Sequence, residues 1–416
     1  VTFGISIGMK TTLGMASVED AFTVKPNWPQ PGNDLAANVD DLLHAAVNGH
    51  GQFVAATSPA LFAEGLTKAL AAIARRTSSS SNIATNAATI KTGGKVFNAS
   101  YVSGIWTGAV NAWTLDANNN PSVLAWTASI PAFSTRKTKV FTYNGTTGDT
   151  FPTATQTTSL DRSTVGPVDY PVTGAKNADY IMGDQSGEGT AVGKLRVRDA
   201  LLGDIVDSSP AYVDDTKTLY VGANDGMLHA FDAGTGVEQF AYVPNLINFG
   251  KLAQISRGDY DHQWSVDGPV AVTSRKLTPG QNLLVGSLGR GGKGMYGLDV
   301  STPASFGMAN VSWELADTAN ANMGLVTGRP ILTTVKTGEV AAVVGNGVNS
   351  TNDKAVLIVV NVKTGAVIRE IDTGAGSSST PNGLSAPTGI LGPDGKTIAY
   401  AYAGDRLGNV WKFDLT

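Results

Sequence analysis

The sequence predicts a mainly β fold: a β-propeller of four-stranded antiparallel blades, expected to be incomplete at its C-terminal end and preceded by a small α/β segment. Three observations predict it. A pattern of prolines, aliphatic-glycine steps and aspartate-bearing turns recurs about every 60 residues. Glycine is abundant, with 49 residues, and Ser, Thr and Asn fill polar positions. Charged residues make up only 15% of the chain, well under the ~25% of an ordinary globular protein. That is the composition of a turn-rich, surface-exposed β protein.

The repeat is set by Pro210, Pro269, Pro330 and Pro387, spaced 59, 61 and 57 residues apart. Proline lacks an N–H and suits the first residue of a strand. Each unit then carries an aliphatic-Gly or Ala-Gly step: Val221-Gly222, Val285-Gly286, Val344-Gly345 and Ala403-Gly404. A turn follows, supplied in the first unit by Asn224-Asp225-Gly226, where Gly226 provides positive φ. The next strand ends in Asp or Asn, at Asp232, Asp299, Asn361 and Asp414. Asp232 stands before Thr235-Gly236 and can pin that turn by accepting backbone N–H groups. Four strands joined by hairpins make one propeller blade. Asp225, Gly226, Asp232, Thr235 and Gly236 are therefore read as structural turn residues.

The rest of the chain is organised around this repeat. Residues 1–76 read as a separate segment: a strand at the start, a loop with Pro26, Pro29 and Pro31, a helix around Asp40–Val47, and a second helix opened by Ser58-Pro59. Leu61, Phe62, Leu66, Leu70 and Ile73 give that second helix its apolar positions, and Arg75 and Arg76 suit its C-terminal end. Residues 77–416 form the propeller. A weaker unit spans Lys95 to Ile130, and a loop-rich, extended insertion is expected at about 132–200, where strand patterning is poor. Val1 opens directly in a strand-like run, and the last unit stops at Thr416 before a fourth strand. The chain is accordingly expected to be cut at both ends.

Several motifs follow one another in a fixed order: Leu202-Gly203-Asp204-Ile205-Val206-Asp207-Ser208-Ser209-Pro210, then Leu219 to Asp232, Val266-Asp267-Gly268-Pro269, Gly289 to Gly294, Gly328-Arg329-Pro330, Gly345-Asn346-Gly347 and Tyr402 to Asp414. Their order resembles the PilC/PilY family. Residues 1–76 resemble the C-terminal remnant of a von Willebrand A-type domain. The resemblance implies a protein exported to the cell surface, at the tip of type IV pili. It implies minor pilins and host or abiotic surfaces as partners, with roles in adhesion, assembly and control of retraction. It also implies a calcium loop before the Tyr-Ala-Gly-Asp step, with acids at its positions one, three, five and nine. Those positions fall here on Leu391, Pro393, Gly395 and Ala399. Residues 391–399 are therefore expected to form a metal-free turn, with Lys396 beside the lone Asp394.

Candidate sites are few. Arg257-Gly258-Asp259 is the candidate receptor-binding tripeptide, although a hydrogen-bonding role within the propeller is the preferred reading. Asp116 to Asn120 places oxygen ligands as a calcium loop does, but Pro121 stands where such a loop wants Gly, and a hairpin turn is preferred. Gly289 to Gly294 opens no helix and reads as a hairpin rather than a phosphate loop. The histidines His44, His50, His229 and His262 have no zinc spacing and read as structural. With no cysteine, thiolate metal sites and disulfides are excluded. A net charge of −4 favours neither nucleic acid nor an anionic membrane, and no apolar run is long enough for a membrane span. The expectation is a binding module, with no catalytic residues and no cofactor. A quinone-dependent propeller dehydrogenase is the alternative, because the blade turns resemble those enzymes.

Overall fold

The computed structural model describes residues 2–15, 17–32, 35–49, 51–59, 61–63, 77–78, 83–85 and 94–416. Contacts divide the chain into two compact units, Val1–Thr77 with Val102–Gly104, and Ser78–Tyr101 with Ile105–Thr416.

In the first unit, strands Phe3–Ile7 and Gln52–Ala56 pair in parallel. Parallel neighbours need a crossover, and helix Leu35–Asn48 lies between them in the chain. The helix buries Val39, Leu43 and Ala46 against Phe53. Two elements here escape the sequence reading. One is strand Gln52–Ala56. The other is helix Val18–Val24, which is opened by a capping box between Ser17 and Asp20. His44 stacks on Trp28, with ring centroids 4.3 Å apart. At the second expected helix, the Leu61 N–H donates to Ser58 Oγ at 3.2 Å, as an N-cap requires. Most of that helix, with His50, lies outside the described residues.

The second unit holds the blades. Each of the four prolines stands immediately before the first strand of its sheet: Ala211–Val213, Val270–Val272, Ile331–Thr334 and Thr388–Leu391. Blade one continues with Thr218–Ala223, Met227–Asp232 and Glu238–Val243. Blade two continues with Leu283–Ser287, Gly294–Asp299 and Val311–Ala316, and blade three with Val340–Gly345, Val356–Asn361 and Val367–Asp372. Blade four contains Ile398–Gly404 and Val410–Asp414. All pairs within these blades are antiparallel. The weak unit is an antiparallel sheet of its own, built on Lys95–Val102, Thr107–Leu115 and Pro121–Thr127. The first strand of blade two adjoins those of blades one and three, and the cores lie between neighbouring sheets. Phe97 and Val110 of the weak unit, for instance, pack on Leu219, Val221 and Phe231 of blade one. Each such side chain contributes about 1.5–3 kcal/mol by leaving water.

Blades are also joined by repeated devices. In blades one to three the fourth strand carries one extra residue, a bulge at Gln239, Ser312 or Ile368, and the residue just after it pairs with the third strand. That residue is Phe240, Trp313 or Arg369, and Trp126 holds the same place in the weak sheet. Trp126 covers the Thr-Gly turn of blade one and donates Nε1–H to Ala233 O at 3.2 Å. Trp313 covers the equivalent turn of blade three and donates to Val362 O at 2.9 Å. Phe240 stacks flat on Phe306 in the turn of blade two, with centroids 3.7 Å apart. These turns need glycine twice over. Gly236 has φ +77°, and a Cβ there would lie 2.5 Å from the Trp126 ring. A second device uses buried asparagines at the ends of second strands. Asn224 accepts from Ser265 N–H, and Asn346 from Leu384 N–H, each on the lead-in to the following blade.

The extended, loop-rich insertion expected at about 132–200 is corrected by the structure. It contains helices Phe133–Arg136, Ala154–Ser159 and Gly174–Ile181. Its strand Val140–Tyr143 adds in parallel to Glu238–Val243, and Gly148–Thr150 pairs outside it, giving blade one six strands. Buried polar side chains hold it down. Gln156 donates to Thr142 Oγ1 and Asn245 Oδ1, and Asn177 donates to the Leu160 and Ala253 carbonyls. These elements are short, so a hydrophobic period has little length over which to show.

Candidate functional site

The largest concentration of chemistry lies where the insertion meets blade one. Arg136, His229, Glu238 and Asp225 are all buried. Strand Met227–Asp232 places His229 beside Glu238 of the neighbouring strand, and helix Phe133–Arg136 brings Arg136 in from outside. Arg136 Nε and Nη2 donate to the two Glu238 carboxylate oxygens at 2.6 and 3.0 Å. His229 Nδ1 lies 2.7 Å from Glu238 Oε1, and its Nε2 lies 3.1 Å from both Asp225 oxygens. Burial alone would lower the His229 pKa, but Asp225 and Glu238 outweigh it and raise it to about 9. Burial alone would raise Glu238, but Arg136 and His229 pull it down to about 2. The tetrad thus holds two cations and two anions, and its charges cancel. Asp225 does more than shape its turn, because its carboxylate also accepts from Gly203 N–H at 2.9 Å.

A second group links blades one and two. His262 Nε2 lies 2.7 Å from Asp204 Oδ2, and the ring sits between Trp106 and Trp264. Arg290 lies over Trp264 and pairs with Asp207 at 3.0 Å. Asp267 Oδ1 accepts from Asp207 N–H at 3.0 Å. Burial, with Asp207 and Asp204 close by, raises the Asp267 carboxyl to about 7. Sequence reading missed this group because Asp204 with Asp207, Asp267 and Arg290 come from three separate motifs, and Trp106, His262 and Trp264 from none.

The motif residues fall as follows. Asp232 Oδ1 accepts from Gly234 N–H, Thr235 N–H and Thr235 Oγ1–H at 2.8–3.0 Å, and Gly226 has φ +95°. Asp116 Oδ1 accepts from the N–H groups of Asn118 and Asn120 within a hairpin turn. Gly289–Gly291 is a short turn between two strands of blade two. In the Arg257-Gly258-Asp259 loop, Arg257 forks onto its own Asp259 at 2.7 and 2.8 Å and also lies 3.5 Å from Asp169. At residues 391–399, Asp394 Oδ1 accepts from Lys396 and Thr397 N–H, and Gly395 takes φ +62°. That carboxylate closes the turn, and the acids a calcium loop requires are absent from positions one, three, five and nine. A calcium ion does not fit this donor set.

Successive antiparallel blades with cores between neighbouring sheets define a β-propeller module. Comparisons narrow the class. The family model described as the PilY1 beta-propeller domain matches residues 189–416, and the chain belongs to that family. It is 31% identical to the type IV pilus biogenesis factor PilY1 of Pseudomonas aeruginosa (strain UCBPP-PA14), over 100% of this chain and 40% of the relative. It is 32% identical to a PilY1 homolog of Xylella fastidiosa, over 80% of this chain and 28% of the relative. The crystal structure of the Pseudomonas aeruginosa PilY1 C-terminal domain shares 36% identity, covering 48% of this chain and 38% of that one, with a TM-score of 0.39. The chain thus spans well under half the length of these relatives. Their names carry no enzymatic activity. Among the described residues, no helix is long and apolar enough to cross a membrane.

Proposed function

We propose that this chain is a binding and assembly module of type IV pili, acting at the cell surface and pilus tip through minor pilins and through host or abiotic surfaces. The observation that carries this reading is membership of the PilY1 propeller family, with relatives named as pilus biogenesis factors. The chemistry of the site is compatible with it. The acids and bases of the buried tetrad pair with one another, and blades present loops outward, as recognition scaffolds do. Retraction control through calcium at residues 391–399 is not part of this proposal, because the donor set there is spent. Residues 1–76, with their parallel strand pair and connecting helix, are proposed as the remnant of a von Willebrand A-type domain.

The test is affinity capture with minor pilins from the same genome, together with pilus counts in a strain lacking the gene. Capture of a minor pilin and loss of surface pili support the proposal. Normal pili and no pilin capture overturn it. Saturable quinone binding with alcohol oxidation would instead establish the dehydrogenase alternative.

A further inference from the structure

The insertion on blade one carries an open cleft of about 560 Å³, lined by residues that include Val168, Tyr170, Val192, Arg196, Val197 and Gly258. Three features set it apart. First, its valines face solvent: Val168 is 74% exposed, Val192 77% and Val197 53%. Together they offer branched apolar side chains to a ligand seated in the cleft. Second, Arg196 is the one charged residue among the described lining residues. Third, its guanidinium is unspent. Arg136, Arg198, Arg257 and Arg290 each pair with a carboxylate. Arg196 has no carboxylate within 4 Å among the described residues. It lies over the Tyr260 ring at 4.6 Å, and its Nε reaches Tyr180 Oη at 3.4 Å. In the adjoining loop, Asp169 and Asp259 pair with Arg257.

We propose that this cleft binds the C-terminal end of a partner protein whose last residues are apolar. The terminal carboxylate lies on the Arg196 fork, which matches a carboxylate bidentately. Branched side chains lie against Val168, Val192 and Val197. The volume falls within the range of ligand pockets and suits a few residues rather than a whole domain. Capture of a chain terminus by fixed donors is a recognised mode of peptide binding. Stacking on Tyr260 holds the guanidinium in place, so little freedom is lost when the ligand arrives. This site is independent of the pilus assignment and can fail without affecting it.

The probe is N-acetyl-Ala-Val-Val-Val with a free carboxylate, titrated calorimetrically into the 416-residue chain. Saturable binding is expected, weakened by at least about tenfold when the peptide ends in an amide or when Arg196 is changed to Gln, the worth of one charge-assisted hydrogen bond. Because Arg196→Gln could disturb Tyr260, the exposed double variant Val168→Ser/Val192→Ser is measured as well, with the thermal midpoint of each variant recorded. Severalfold weaker binding at an unchanged midpoint supports the site. Equal affinity for acid and amide, unchanged binding in both variants, or no saturable binding overturns it. Hexanoate binding as tightly as the peptide also overturns it, by assigning the cleft to free aliphatic acids.

Discussion

Arg136 and Glu238 stand 102 positions apart, yet they meet as a buried two-pronged ion pair that ties the insertion to the last strand of blade one. The pair also neutralises one side of His229, whose other ring nitrogen faces Asp225. Removing one partner leaves a charge without compensation in a water-free site. Glu238→Gln is expected to destabilise the second unit by about 3–5 kcal/mol, and Arg136→Met/Glu238→Gln by less than the two single changes together. Chemical denaturation of the three variants checks this. A neutral Glu238→Gln would show that the tetrad is not held as described.

A pH dependence follows from Glu314 on blade two. It accepts from Tyr242 Oη–H at 2.6 Å and Asn245 N–H at 2.7 Å, and burial raises its carboxyl to about 7. The folded state therefore keeps a proton that the unfolded chain has lost. That contribution is complete below about pH 4.5 and is lost as pH rises through about 7. The loss is on the order of 3 kcal/mol. Glu314→Gln keeps both hydrogen bonds and should flatten this decline. An unchanged slope of stability against pH across that window would contradict the assignment.

The docking of Trp126 on the turn at Gly236 predicts a pair of matched losses. Trp126→Ala removes a large half-buried ring and its bond to Ala233, and is expected to cost about 3 kcal/mol or somewhat more. Gly236→Ala strains a positive φ and drives a Cβ into the same ring, for about 1–3 kcal/mol. The two changes should be less than additive, since without the ring only the backbone strain remains. Full additivity in a double-mutant cycle would separate the two residues.

Residues 391–399 are expected to show no tight calcium binding. Calorimetric titration of the chain should give no submicromolar site that Asp394→Ala removes. The same substitution is expected to loosen the turn, seen as faster amide exchange at Lys396 and Thr397, whose N–H groups lose their acceptor. Tight binding abolished by Asp394→Ala would reverse the reading.

For Arg257-Gly258-Asp259, the internal ion pair means that a receptor reading the two charges separately must first break it. The pair is partly exposed and worth about 0–1 kcal/mol, so Asp259→Asn should leave the thermal midpoint nearly unchanged. Surface attachment is expected to be insensitive to a competing Arg-Gly-Asp peptide. Competition by that peptide, lost with Asp259→Asn, would establish a receptor role.

The sequence by itself determined the blades. Pro210, Pro269, Pro330 and Pro387, the glycine steps and the Asp232 turn are local requirements of φ, missing N–H groups and short-range hydrogen bonds, so each can be read from a few neighbouring residues. The same holds for the spent turn at Asp394. Only the tertiary structure decided the rest. The helices of the insertion are held by Gln156, Asn177 and Arg136 reaching partners in other segments. The tetrad draws on Arg136, Asp225, His229 and Glu238 from different elements, and Trp126 serves a turn more than a hundred residues away. Nor can the free fork of Arg196 be read from its neighbours, because it depends on which acids its fellow arginines already hold. Charges and rings of this kind are placed by packing, and packing has no period along the chain.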